Sequence, residues 1–215
     1  MTPLHLMVQK RPPLDVVQII VEHAPESLRL TDRNAGAVPL HLACFNRASL
    51  QVVKTLAEAD PASLRAAGTR GCLPLHTACA PTSDCRNLDV ISFLADAYPE
   101  AIEIRNKSGK RPSDLLKQPT QPYIRTDASS KMDEYFSLFS LRDAVVCGHS
   151  VYLLQLLIEA FPDSVTEKDA DGMTPAHHAC KSESVESVCF FAESSTCLKS
   201  WATITDSQGR TAQQA

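Results

Sequence analysis

Long hydrophobic runs are missing from this chain. The most apolar stretch, Val16 to Val21, is followed at once by Glu22, far short of the ~18 apolar residues that a membrane-spanning helix needs. Charge of one sign is also missing. A net charge of −4 gives no global field to recruit nucleic acid. Aromatic residues make up only 6% of the sequence, which suits thin layers of aliphatic packing better than one thick core. The start of the chain has no secretory layout, because Lys10, Arg11 and two prolines follow a short apolar opening. A cytoplasmic or nuclear location is therefore expected. No phosphate-binding loop, dinucleotide fingerprint, G-x-S-x-G or H-E-x-x-H motif occurs.

What is present is a phrase that returns. It reads T-P-L-H-L-M-V at residues 2–8, V-P-L-H-L-A-C at 38–44, L-P-L-H-T-A-C at 73–79 and T-P-A-H-H-A-C at 174–180, with a weaker R-P-S-D-L-L from Arg111. Pro3, Pro39, Pro74 and Pro112 lie 36, 35 and 38 residues apart. A second set of prolines, Pro25, Pro61, Pro99 and Pro162, ends apolar stretches out of phase with the first. Gly36, Gly71, Gly109, Gly172 and Gly209 precede the phrase positions. A fixed period of this length marks a stacked-repeat architecture, in which no unit buries its apolar face alone.

Residues 33–61 show one repeat. Gly36 permits a turn with positive φ. Pro39 fits the first helical position, and Leu40, Ala43 and Cys44 follow on one face of a short helix. Thr2 and Thr174 can cap their helices; Val38 and Leu73 cannot. After a break at Phe45-Asn46-Arg47, Leu50, Val53, Leu56 and Ala57 form the stripe of a second helix, which Pro61 stops. The same register returns as Leu14, Val17, Ile20 and Val21, as Leu88, Ile91, Leu94 and Ala95, and as Val151, Leu154, Leu157 and Ile158.

The T-P-L-H-x-A phrase, the V-V-x-x-L-A second helix and the glycine turn resemble the ankyrin repeat. Cys147-Gly148-His149 before Leu153-Leu154 strengthens the likeness, which covers everything except roughly residues 118–139. The resemblance implies an all-α ankyrin-type solenoid of helix-turn-helix units with extended turn tips. It is expected to form a single array over 1–215, with units starting near 2, 33, 68, 106, 132, 169 and 206. The periods exceed the family's ~33 residues, and the extra residues follow the second helix. Residues 81–86 form an inter-helix insertion. One degenerate unit falls near 112–147. It carries an irregular loop at 118–130 and then a stripe of Met132, Tyr135, Phe136 and Phe139. Both ends of the chain stop inside a unit, which points to a longer protein or to covered ends.

Chemistry was sought at the histidines and cysteines. His5, His41, His76 and His177 share one repeat position, and Cys44, Cys79 and Cys180 another. A zinc site needs four ligands converging on one point, and a nucleophilic Cys–His pair is normally unique in a chain. Repetition argues for architecture, so no cofactor, metal or catalytic residue is expected. The eight cysteines are expected to be reduced, because equivalent positions ~10 Å apart in a stack exceed the ~7 Å limit for a disulfide. The resemblance implies that the histidine ring ties neighbouring turns together through backbone bonds. It also implies a non-enzymatic module that binds a partner protein through its concave groove, with no small-molecule substrate, nucleic acid or membrane. A metal-binding or hydrolytic Cys/His protein and a structural spacer are the alternatives. The outward positions expected to bind are Asn34, Phe45, Asn46, Arg70, Lys107, Lys110, Asp171, Met173, His178 and Lys181. Ala35, Ala37, Thr69, Cys72, Ser108, Ala170 and Ser182 complete the stripe.

Overall fold

The computed structural model describes residues 2–10, 12–80, 87–117, 140–182, 184–193, 204–212 and 214. The insertion at 81–86, the loop at 118–130 and the stripe from Met132 to Phe139 lie outside them. Two compact halves, Met1–Tyr123 and Ile124–Ala215, make up the chain, and each is described by itself. Among the described residues there is no strand, only an isolated antiparallel bridge between Thr205 and Thr211.

In the N-terminal half, first helices alternate with second helices. The first helices are α1 (Pro3–Gln9), α3 (Pro39–Phe45), α5 (Pro74–Cys79) and α7 (Pro112–Leu116). The second helices are α2 (Leu14–His23), α4 (Leu50–Ala59) and α6 (Leu88–Ala97). Each is far shorter than the ~12–15 residues at which an isolated helix becomes even marginal, so stacking has to supply the stability. First helices pack on first helices, α1 on α3, α3 on α5, α5 on α7, while α2, α4 and α6 form a row behind them. Leu4, Val8, Leu40, Ala43, Leu75 and Cys79 are buried in the front row, and Val53, Leu56, Ile91 and Leu94 in the back row. The C-terminal half repeats the plan. Its first helices are α8 (Leu141–Val146) and α10 (Pro175–Lys181); its second helices are α9 (Val151–Ala160) and α11 (Val185–Glu193).

The two kinds of helix are capped differently. The second helices α4, α6 and α9 use side chains from the residue before them, while α2 follows Pro13 and has no such cap. Ser49 accepts from the Val52 N–H at 3.4 Å, Asn87 from Asp89 and Val90 at 3.0 and 3.3 Å, and Ser150 from Leu153 at 3.5 Å. Three first helices, α1, α5 and α10, rely on the histidine of the phrase, described below.

The long period has a structural cause. After α2, α4, α6 and α9 a proline opens a 3-10 turn: Pro25–Leu28, Pro61–Arg65, Pro99–Ile102 and Pro162–Val165. The residue before it is held out of the helical region, which proline disfavours in its predecessor: φ is −143° at Ala24, −140° at Asp60, −147° at Tyr98 and −134° at Phe161, each with positive ψ. Each turn presses small and apolar residues onto the stack; Ser27 and Leu28, Ala101 and Ile102, and Ser164 and Val165 are buried. On the same face, the Lys54 ammonium lies 5.6 Å from the centre of the Phe93 ring and the Arg65 guanidinium 5.0 Å from that of Tyr98.

Candidate partner-binding site

The site begins with the turn tips. In four of them an Asp or Asn side chain accepts two backbone N–H groups and closes the loop. Asp32 Oδ1 accepts from Ala35 and Ala37, Asn106 Oδ1 from Ser108 and Lys110, Asp169 Oδ1 from Asp171 and Met173, and Asp206 Oδ1 from Gln208 and Arg210. Gly68 stands at this place in the remaining tip, where its N–H bonds Cys72 O at 3.0 Å. Neighbouring tips are stitched to one another. The Thr69 N–H donates to Ala35 O at 2.8 Å, Lys107 N–H to Arg70 O at 3.0 Å and Ser207 N–H to Asp171 O at 3.1 Å. Gly71 (φ +70°) allows this approach, since a Cβ there would sit 3.0 Å from the Lys107 nitrogen.

The histidines fasten these tips to the first helices. At the N-cap of α1, α5 and α10, the backbone N–H of Thr2, Leu73 or Thr174 donates to Nδ1 of the histidine three residues on, at 3.2, 3.3 and 3.2 Å. A ring nitrogen that accepts is unprotonated, so Nε2 carries the hydrogen. That Nε2–H reaches into the next repeat: His5 to Ala37 O at 3.1 Å, His76 to Lys110 O at 3.2 Å and His177 to Arg210 O at 3.0 Å. His41 bonds Cys72 O at 2.9 Å in the same way, but its buried Nδ1 has no partner. Leu73 therefore has its backbone N–H satisfied without a capping side chain of its own. Asp114 does half of this work in α7, accepting the Arg111 N–H at 3.0 Å.

These bonds set the chemistry of the rings. Burial, opposed by the bonds to Cys72 and Lys110, holds His41 and His76 below the usual imidazole range. Burial also pushes the Cys44 thiol up to about 12 and raises that of Cys180, so neither offers a thiolate. Cys180 is only partly covered, less buried than Cys44 and Cys79. Among the described residues, no three His, Cys, Asp or Glu converge on a possible metal position, and no helix is long and apolar enough to cross a membrane.

The fold is an ankyrin-type repeat stack. Phrase, helix pair, tip and histidine bond recur together in both halves. No family model matches the chain, and no curated protein matches it. Among solved structures, one that it resembles is the crystal structure of the ankyrin repeat domain of Bcl-3, a member of the IkappaB protein family. The identity is 20% and the TM-score 0.45, over 100% of this chain and 93% of that one. A likeness that distant carries nothing about function.

Between the tips at 32–37 and 68–72 the front surface opens into a cleft of ≈ 510 Å³. Its walls include Ala35, Leu42, Phe45, Thr69, Cys72 and Thr77, with Asn34 and Arg70 at the tips. Asn34, Phe45 and Arg70 of the expected stripe thus meet at one place. Phe45 is 49% exposed there. Lys107 and Lys110 stand exposed on the following tip. Asn46 does not line the cleft; its amide donates to Leu42 O at 2.9 Å and closes the end of α3.

Two stripe residues need correction. Met173 is 8% exposed and Ala37 6%. Each donates its N–H to the Asp that closes its tip and returns its carbonyl to that residue's N–H, and this closure turns the side chain inward. In the C-terminal half, Asp171 and Lys181 are exposed. His178 is not a free polar residue: Nε2 lies 2.7 Å from Asp169 Oδ2, with both side chains largely covered. Burial works to raise the Asp169 carboxyl, but the bonds from His178, Met173 and Asp171 prevail and hold it below the usual carboxylate range. The tip-closing Asp and Asn residues were missed from sequence. They stand three residues before glycine in N-K-S-G, D-A-D-G and D-S-Q-G, a signal of an Asx turn.

Proposed function

We propose that the N-terminal half is a non-enzymatic protein-binding surface, and that the partner engages the cleft between the tips at 32–37 and 68–72. The observation that carries this reading is an exposed phenylalanine set in an apolar depression, beside an arginine whose side chain makes no ion pair or hydrogen bond among the described residues. Phe45 contributes nothing to the stack at its exposed edge, yet stands beside Leu42, Thr69 and Thr77. Aromatic and arginine side chains supply most of the binding energy at protein interfaces. The ring bonds of the histidines leave them no capacity for acid–base work, because both nitrogens of His5, His76 and His177 are engaged with backbone. Among ligand classes, a partner protein suits this surface best.

A photo-crosslinking amino acid at Thr69 tests this against one at Glu58, on the row behind. Expected are discrete protein adducts from position 69 that disappear when Phe45→Ser is added, and none from position 58. Adducts from position 58 alone, or adducts at position 69 that survive Phe45→Ser, would defeat the reading.

A further inference from the structure

The cleft has a charged frame as well as an apolar floor. Arg33, Arg70, Lys107 and Lys110 are all exposed on three consecutive tips, and none makes an ion pair or a side-chain hydrogen bond among the described residues. Most other described arginines are occupied. Arg29 pairs with Asp60, Arg111 with Glu103, Arg142 with Asp143 and Arg210 with Asp206, and Arg105 bonds Gly109 O at 2.7 Å. The nearest carboxylate on these tips, Asp32, is buried and spent on the N–H groups of its own turn. In a chain of net charge −4, four cations unpaired among the described residues thus stand on the three tips that form or adjoin the depression, with Arg70 in its wall.

Spacing suggests what would match them. Stacked helices repeat at ~8–10 Å, so consecutive tips offer a cation about once per 10 Å. An extended peptide advances ~3.3 Å per residue and brings every third side chain into that period. We propose that the cleft takes an apolar side chain from an acidic segment of the partner protein, whose flanking carboxylates pair with Arg70 and with the cations of the adjoining tips. The inference rests on the protein-binding reading above and adds the partner's chemistry. A polyphosphate chain suits the site less well, since the floor is apolar and Phe45 is the one exposed aromatic ring among the residues that line it.

A library of random dodecapeptides displayed on phage, selected on the intact chain and counter-selected on the Phe45→Ser chain, tests it. Expected is a pool in which an aliphatic or aromatic residue is flanked by Asp or Glu. A synthetic peptide from that pool should lose about tenfold or more in affinity against Arg70→Glu/Lys107→Glu. It should also weaken as salt rises from ~0.1 to ~0.5 M, where the screening length drops below ~10 Å. Bound peptide should slow alkylation of Cys72, which lines the cleft, and leave exposed Cys147 and Cys189 unaffected. Neither substituted side chain holds its tip closed, and unchanged melting confirms that the double variant is folded. A neutral or basic pool, an affinity indifferent to the charge reversal, or equal displacement by a single-stranded oligothymidylate overturns the acidic-segment inference and leaves the cleft reading standing. If no pool distinguishes the intact chain from Phe45→Ser, the cleft reading falls and takes this inference with it.

Discussion

Helices α3 and α10 have one backbone plan and two surfaces. Both start at a proline, both place a histidine third, and both send that histidine's Nε2–H to a carbonyl of the next repeat, Cys72 O or Arg210 O. Outward, they part. Leu42 and Phe45 in α3 line the cleft, while the matching residues in α10 are His178, paired with Asp169, and exposed Lys181. The tips part in the same sense. Arg33, Arg70, Lys107 and Lys110 crowd the N-terminal half, whereas Asp169, Asp171 and Asp206 serve the C-terminal half. Residues that repeat build the stack; residues that break the repeat mark where the two halves differ in use.

The comparison breaks most severely at the shared histidines. His76→Phe removes two backbone bonds and orphans the Leu73 N–H, while the Lys110 carbonyl keeps the Asn106 N–H. With ~1–3 kcal/mol for the orphaned donor and ~0.5–1.5 kcal/mol for the other lost bond, the expected loss is about 1.5–4.5 kcal/mol. His41→Phe removes only the bond to Cys72 O, which keeps the Gly68 N–H, since Nδ1 of His41 has no partner, and about 0.5–1.5 kcal/mol is expected. Urea unfolding of the two variants checks the order, and equal losses would mean that Nδ1 contributes nothing. His177→Phe in the C-terminal half should resemble His76→Phe.

Smaller effects are expected at the tip glycines. Gly71→Ala combines a left-handed backbone with a Cβ 3.0 Å from Lys107 N, while Gly109→Ala meets nothing within 4 Å. The left-handed conformation alone costs ~1–2 kcal/mol. Gly71→Ala should exceed that figure and Gly109→Ala should stay within it, as measured by thermal melting.

The halves should also answer differently to acid. His41 and His76 are held below their ordinary range, so in the unfolded chain they bind protons first. The stability that they confer is full above the unfolded value of ~6.5 and is lost as pH falls from there through the folded values. Asp169 is also depressed, but its contribution is intact above ~3.9 and is lost only below that. Hydrogen-exchange protection of α3 and α5 should decline between pH 7 and pH 5, before the tip at 169–173 loosens. The reverse order would contradict these assignments. The smallest effect is on the surface: Phe45→Ser and Lys181→Ser should each change stability by no more than about 0.5 kcal/mol.

The stack was legible because its devices are local. Proline at the first helical position, a stripe at i, i+3 and i+4, and a glycine in the turn each follow from a few adjacent residues, and the helices stand where those signals put them. The burial of Met173 and Ala37 was not legible. It depends on a carboxylate four or five residues upstream that folds the tip back. The union of Asn34, Phe45 and Arg70 at one cleft was also hidden, because it joins two repeats through Thr69 N–H and Ala35 O. The pairing of His178 with Asp169 spans nine residues and has no counterpart in α3. Arg47 at φ +56° shows the limit of composition, since the equivalent loop position in the C-terminal half holds Gly148.

Every histidine bond between repeats points the same way along the chain, from an imidazole to a carbonyl some thirty residues later. The two ends of a truncated stack are therefore unequal. Cutting away the repeat that follows His76 strands a covered N–H donor inside the new end. Cutting away the repeat that precedes Ala37 frees only a carbonyl, which water or the Asp32 N–H can still serve. Such a stack has a grain, like wood: loss of whole repeats from the C-terminal side should do more damage than equal loss from the N-terminal side.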